Sequence, residues 1–183
     1  MIKAAVLGSP ISHSLSPALH ARAYEILGIS GEYTAIETTD VDLGEVLARG
    51  ISQEWNGFNL TMPLKESVFA SSIVDFDSAS ERSRSANTLV RENNRYQATS
   101  TDQSAFERLL APYSVGRVAI IGGGGTARAA VSALASRAEK IDLLLRTPDR
   151  ATIMRAIAPT AEICVLPMSS SLTGYDVVIN TSP

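Results

Sequence analysis

Disulfides are excluded within this chain of 183 residues, because it holds a single cysteine, Cys164. That residue lies in the apolar run Glu162-Ile-Cys-Val-Leu166, which reads as a strand, so a plain buried thiol is expected. Basic excess is also missing: 16 lysines and arginines stand against 19 aspartates and glutamates, a formal net charge of -3. This argues against nucleic acid or an anionic membrane surface as a partner. No apolar run approaches the roughly 18 residues of a membrane helix, and the N-terminal MIKAAVLGSP is too short in its apolar part for a secretory signal. No membrane association and a cytoplasmic location are expected. The two histidines, His13 and His20, have no clustered carboxylate or cysteine beside them, so no metal site is expected and both read as structural hydrogen-bonding residues.

What is present is a globular composition, 45% hydrophobic and 19% charged, enough for one full core or two small ones. Ile2 to Leu7 reads as a strand ended by Gly8-Ser-Pro10. Ser16-Pro17 then reads as a hydroxyl N-cap with proline in the first turn of a helix, with Ala18, Leu19, Ala21, Tyr24 and Leu27 on its apolar face and Gly28 as its stop. Residues 32–38 read as strand, 41–48 as helix and 57–62 as a strand stopped by Pro63. This βαβαβ order predicts an α/β fold with a mostly parallel sheet. A serine-rich zone, 71–85, interrupts it; β-like pieces follow at 87–91 and 96–101, and a helix at 104–110. Pro112-Tyr-Ser-Val-Gly116 reads as a linker, which divides the chain into domains 1–112 and 113–183. The second half alternates again: strand to Ile121, a glycine loop, a helix to about Arg137, strand 141–145, helix 149–158, and strands 163–166 and 177–180.

The loop Gly122-Gly-Gly-Gly125-Thr126 fits the spacing Gly122-x-Gly124-x-x-Ala127 of a dinucleotide turn. Such a turn needs a tight bend, close backbone approach to a pyrophosphate, and tight packing of helix on strand. Four adjacent glycines also suit a bare hinge, but a β-type run before the loop and an alanine-rich, proline-free run after it favour the phosphate turn. An acidic residue about 20 positions further on would accept a ribose 2′-hydroxyl, whereas arginine suits a 2′-phosphate. Here the next strand ends in Arg146-Thr147, with Arg150 four residues on, so two guanidinium forks are in place for one phosphate. Two solvated arginines at a helix start are the plainer alternative.

Three polar clusters fall at or just past the C-terminal ends of the first half's expected strands, the edge where open α/β sheets bind ligands. They are Ser12-His-Ser14-Leu-Ser16, Asn59-Leu-Thr61-x-Pro63-x-Lys65 and Ser100-Thr-Asp102, which Asn87 can join. Each has an ordinary reading too: Lys65 as a solvated charge, Asp102 as an N-cap, and Ser14 and Ser16 as turn and cap residues.

Together these segments resemble the shikimate dehydrogenases. "GSPISHSLSPALH" is similar to the family's Gly-x-Pro-Ile-x-His-Ser-x-Ser-Pro-x-x-His, "NLTMPLK" to Asn-Val-Thr-x-Pro-x-Lys, "SANTL" to Ala-x-Asn-Thr and "STD" to Asn-Thr-Asp. "GGGGTARA", "RTPDR" and "DVVINTSP" resemble its glycine loop, its Asn-Arg-Thr-x-x-Arg segment and its Asn-Ala-Thr-Pro segment. The resemblance implies NADPH-dependent, reversible reduction of 3-dehydroshikimate to shikimate in aromatic amino-acid biosynthesis. It implies a substrate-binding catalytic domain followed by a Rossmann-like NADP-binding domain. Ser14 and Ser16 would hold the substrate carboxylate, Thr61, Asn87 and Asp102 the ring hydroxyls, and Lys65, with Asp102 as its partner, would be catalytic. Gly122, Gly123, Gly124, Gly125, Thr126, Arg146, Thr147 and Arg150 would hold NADP.

Departures from the pattern are Leu145 for asparagine, Ser100 for asparagine and Gln103 for glycine. The family's chains run longer, so a C-terminally truncated member with an incomplete nucleotide domain is expected. A non-catalytic shikimate- or NADP-binding protein and a quinate/shikimate dehydrogenase stay open as alternatives, as do a monomer and a homodimer.

Overall fold

Strands and helices alternate from the N-terminus of the computed structural model, which describes residues 1–182. Contacts group the chain into two units: Met1–Ser80 with Ala86–Thr99, and Glu81–Ser85 with Ser100–Pro183.

The first unit is built from β1 (Ile2–Gly8), α1 (Ser16–Leu27), β2 (Gly31–Glu37), α2 (Leu43–Ser52), β3 (Gly57–Leu60), α3 (Leu64–Ser67), β4 (Val74–Phe76), β5 (Thr88–Glu92) and β6 (Arg95–Thr99). The sheet order is β2-β1-β3-β5-β6-β4. Only β5 opposes its neighbours, pairing antiparallel with both β3 and β6, while the other pairs are parallel. The mostly parallel sheet expected from the sequence is therefore present. Along β1 the pleat sends Ala5 and Leu7 to the face covered by Leu43, Val46 and Leu47 of α2, with Phe58, Leu60, Leu89 and Tyr96 in the same core. Ala4 and Val6 point to the opposite face, where Tyr33, Ile11 and Tyr24 gather.

Two local expectations fail on α1. Ser16 is its first helical residue rather than its cap, and the Ser14 hydroxyl oxygen accepts the Ser16 N–H at 3.3 Å. The apolar face is also displaced: Leu19 and Leu27 are 68% and 67% exposed, and the half-buried residues are Ser16, Pro17, His20, Ala23 and Tyr24, of which the expected face held Tyr24 alone. The helix is docked by ring contacts, which outweigh a small aliphatic stripe. The serine-rich zone hides two elements, β4 and the short helix α4 (Ser78–Ser83). Two apolar residues, Val74 and Phe76, give too little periodicity to reveal such a short strand.

Asp77 secures this zone. Its Oδ1 accepts the Ser80 N–H at 2.7 Å, and its Oδ2 accepts the Thr99 hydroxyl at 2.6 Å. Desolvation pushes the carboxyl up, but these hydrogen bonds outweigh it and hold the group below the ordinary carboxylate value. Its contribution is therefore present above the ordinary value near ~4 and lost as pH falls through the depressed one. Asp77→Ala is expected to cost about 1 kcal/mol at neutral pH, as loss of a helix cap does. It should also flatten the acid limb of a urea-unfolding series, and an acid limb identical to the parent's would refute this role.

The second unit contains α5 (Thr101–Leu110), β7 (Arg117–Ile121), α6 (Gly125–Leu134), β8 (Lys140–Leu144), α7 (Ala151–Ile157), β9 (Glu162–Leu166) and β10 (Val177–Asn180). All four strands are parallel, in the order β10-β7-β8-β9. The alanines of α6 (Ala127, Ala130) and Val131 and Leu134 pack with Val118, Ile120, Ile141 and Leu143. The sequence boundary at 112 puts α5 in the first half; in the structure α5 packs along α6, and its Leu110 joins the second core. The connection from β9 back to β10 is tied down by Tyr175, whose hydroxyl donates to buried Asp142 Oδ2 at 2.6 Å. Arg117 donates to the same oxygen at 3.1 Å and lies over the Tyr175 ring. Cys164 is half-buried rather than buried, because β9 is an edge strand.

Candidate active site

In the first unit, the C-terminal ends of β1 and β3 are locked together. Thr61 N–H donates to Leu7 O and Ser9 N–H to Met62 O, each at 2.9 Å. Glycine is required at position 8 because a Cβ there would lie 2.9 Å from the Met62 carbonyl oxygen and collide with the Thr61 methyl. The 9–15 loop is pinned by Ile11 N–H, which donates to Glu37 Oε2 at 3.0 Å, and Ser14 N–H donates to Ile11 O at 3.0 Å. Thr61 and Lys65 follow β3 directly, with Lys65 in α3 and half-buried.

Because β5 runs antiparallel, its start comes to the same edge. Leu60 N–H donates to Asn87 O at 2.8 Å, and Ala86 N–H donates to Lys65 O at 3.0 Å. The edge of the first unit thus collects Ser14, Ser16, Thr61, Lys65 and Asn87, five of the residues expected from the sequence. Hydroxyls, an amide and an ammonium at one strand edge suit a small polyhydroxylated anion.

The reading of the residues missed Tyr33 and Thr88. Tyr33 O–H donates to Asn59 Oδ1 at 2.7 Å, and Asn59 Nδ2 donates to Thr88 Oγ1 at 3.1 Å. His20 stacks on Tyr33 with ring centroids 3.8 Å apart, and a recess of ≈ 260 Å³ lies beside this group. Burial pushes the Tyr33 phenol up to about 12, so it remains a donor throughout the working pH range. A lone tyrosine in a strand reads as core, and only the sheet order reveals its partner.

In the second unit, Asp102 lies in the first turn of α5, where the Thr126 hydroxyl donates to its Oδ2 at 3.5 Å. Thr126 belongs to the first turn of α6, so Asp102 and the glycine loop share one framework. At the loop, Gly122 has φ +104, and a Cβ there would come within 2.7 Å of Thr181 Oγ1. Gly124 is extended and hands the chain to Gly125 at the helix start. The arrangement fits a dinucleotide phosphate: a strand, a glycine turn with no room for a side chain at Gly122, and the N-terminus of a ten-residue helix. Arg146 and Thr147 are exposed past β8, and Arg150 Nη1 donates to the Gly123 carbonyl at 3.1 Å. Leu145 is buried against this loop. The closing segment resembling the family's places Asn180 at the end of β10 and Thr181 beside Ile121; its last residue, Pro183, lies outside the described residues.

A mostly parallel unit with a polar, lysine-bearing edge and a second unit with a dinucleotide turn are the parts of a nicotinamide-dependent oxidoreductase. Residues 6–89 match the family model described as the shikimate dehydrogenase substrate binding domain. Over 97% of the chain there is 36% identity to the shikimate dehydrogenase (NADP(+)) of an Exiguobacterium species, of which the match spans 67%. Among solved structures, shikimate 5-dehydrogenase from Mycobacterium fortuitum is 33% identical, with a TM-score of 0.79, this chain covered fully and 70% of the other. The Thermus thermophilus enzyme in complex with NADP(H) and shikimate is 31% identical, with a TM-score of 0.83, this chain covered fully and 69% of the other. The chain belongs to the shikimate dehydrogenase family, and it spans about two thirds of the length of these relatives.

Proposed function

We propose that the protein carries out the NADPH-dependent, reversible reduction of 3-dehydroshikimate to shikimate, a step of aromatic amino-acid biosynthesis in the cytoplasm. One observation carries this reading: Ser14, Ser16, Thr61, Lys65 and Asn87 gather at one strand edge inside the segment that matches the substrate binding domain. In this reading the first unit binds substrate and the second the nucleotide. The hydroxyls of Ser14 and Ser16 donate to the substrate carboxylate, and Thr61 and Asn87 hold the ring hydroxyls. Lys65 gives a proton to the carbonyl oxygen during reduction and takes it back during oxidation, and its ammonium offsets the negative charge that develops there. When bound, NADP supplies or accepts the hydride. Gly122 to Thr126 hold its pyrophosphate, and Arg146, Thr147 and Arg150 its 2′-phosphate.

Shikimate-dependent NADP reduction, with titration of each ligand, tests the reading. Turnover supports it; binding of both ligands without turnover supports a non-catalytic binding protein; quinate turned over as fast as shikimate supports a dual-specificity dehydrogenase. Arg146→Ala is expected to weaken NADP by about ten- to a hundredfold, as loss of charge-assisted hydrogen bonds does, and to leave NAD unchanged. An equal loss for NAD would remove Arg146 from the 2′-phosphate.

A further inference from the structure

The substrate edge is backed by a connected polar line across the sheet. Tyr33 in β2 pairs with Ala4 of β1, and Asn59 of β3 pairs with Val6 of β1. The phenol therefore reaches across β1 to the strand beyond, over the small side chain of Ala4. Donation runs in one direction: Tyr33 O–H to Asn59 Oδ1 (2.7 Å), Asn59 Nδ2 to Thr88 Oγ1 (3.1 Å), and Thr88 O–H to Asn87 Oδ1 (3.2 Å). Asn59 Nδ2 also donates to the Asn87 carbonyl at 3.3 Å. At the other end, His20 lies flat on Tyr33, the planes 7° apart, and its Nδ1 is 2.9 Å from the Ser16 carbonyl. A carbonyl accepts only, so Nδ1 carries the proton. One line thus joins Ser16 to Asn87, two of the residues assigned to the substrate, and both ends are held from behind.

We propose that Tyr33 and His20 are positioning residues for the polyhydroxylated carboxylate substrate: the stack fixes the Ser16 turn, and the one-way hydrogen-bond line orients the Asn87 amide. This rests on the function proposed above. The line matters because an orientable amide presents either a donor or an acceptor, and setting its direction before binding removes an ordering cost from the ligand's affinity.

Tyr33→Phe keeps the ring stack and removes the first donor of the line; His20→Phe keeps the stack and removes the bond to Ser16. Calorimetric titration of parent and variants with shikimate and, separately, with NADP reads the effect, with thermal melting alongside. Tyr33→Phe is expected to weaken shikimate about tenfold, in the range for an orphaned hydrogen-bond partner, and to leave NADP affinity unchanged. His20→Phe is expected to weaken shikimate alone as well. Shikimate affinity equal to the parent's in both variants overturns the positioning role, and so does an equal loss for shikimate and NADP, which marks general destabilisation. A parent that binds NADP but no shikimate overturns the substrate reading itself, which separates that failure from the failure of the line.

Discussion

Lys65→Ala is expected to slow shikimate-dependent NADP reduction by about 10²–10⁴-fold, the usual contribution of a positioned proton donor. The loss should fall mainly on kcat, because the proton moves in the chemical step, whereas Ser14, Ser16, Thr61 and Asn87 remain to hold the ligand. The backbone at position 65 is anchored independently of its side chain: Lys65 O accepts the Ala86 N–H at 3.0 Å, and neighbouring Leu64 is fully buried. Truncation should therefore leave the edge in place. Steady-state kinetics beside shikimate titration separates the outcomes. A variant with the parent's kcat removes Lys65 from catalysis, and one that loses affinity with kcat unchanged makes it a binding residue instead.

The second large effect is expected at Gly122. Its φ of +104 is one that L side chains rarely adopt, and a Cβ would meet Thr181 Oγ1 at 2.7 Å and Ser182 N at 3.3 Å. Thr181 cannot readily yield, since its N–H and its hydroxyl both donate to Ile121 O, at 2.9 and 2.8 Å. Gly122→Ala is expected to cost about 1–3 kcal/mol of stability from backbone strain. It should also weaken NADP more than about tenfold, because the turn must shift from the position that suits a pyrophosphate. Shikimate affinity, carried by the first unit in this reading, should hold. Thermal melting and NADP titration check this. A variant matching the parent in both would show that the turn tolerates a side chain and that its glycine is not required for the nucleotide.

Much of this was legible before any coordinates. The fold class followed from the βαβαβ order, because each period needs only a few neighbouring residues to be recognised. The segments "NLTMPLK" and "GGGGTARA" carried the candidate chemistry in contiguous stretches. Less was legible where the signal is short or shared. β4 and α4 in the serine zone have too few apolar residues, and of the apolar face expected on α1 Tyr24 docks, joined by His20 rather than by Leu19 and Leu27. The serine at 16 looked like a cap, yet the hydroxyl two residues earlier receives its N–H.

The sequence alone determined the kind of fold, the family resemblance and the identity of most candidate site residues, since all of these are properties of local pattern. Tertiary structure alone decided which distant residues act together. Asn87 reaches the edge of Lys65 because β5 runs antiparallel, α5 carries Asp102 on the glycine-loop unit because it packs along α6, and Tyr33 finds Asn59 across an intervening strand. Strand order and helix packing are set by the burial of whole faces, and no single stretch of sequence records that outcome.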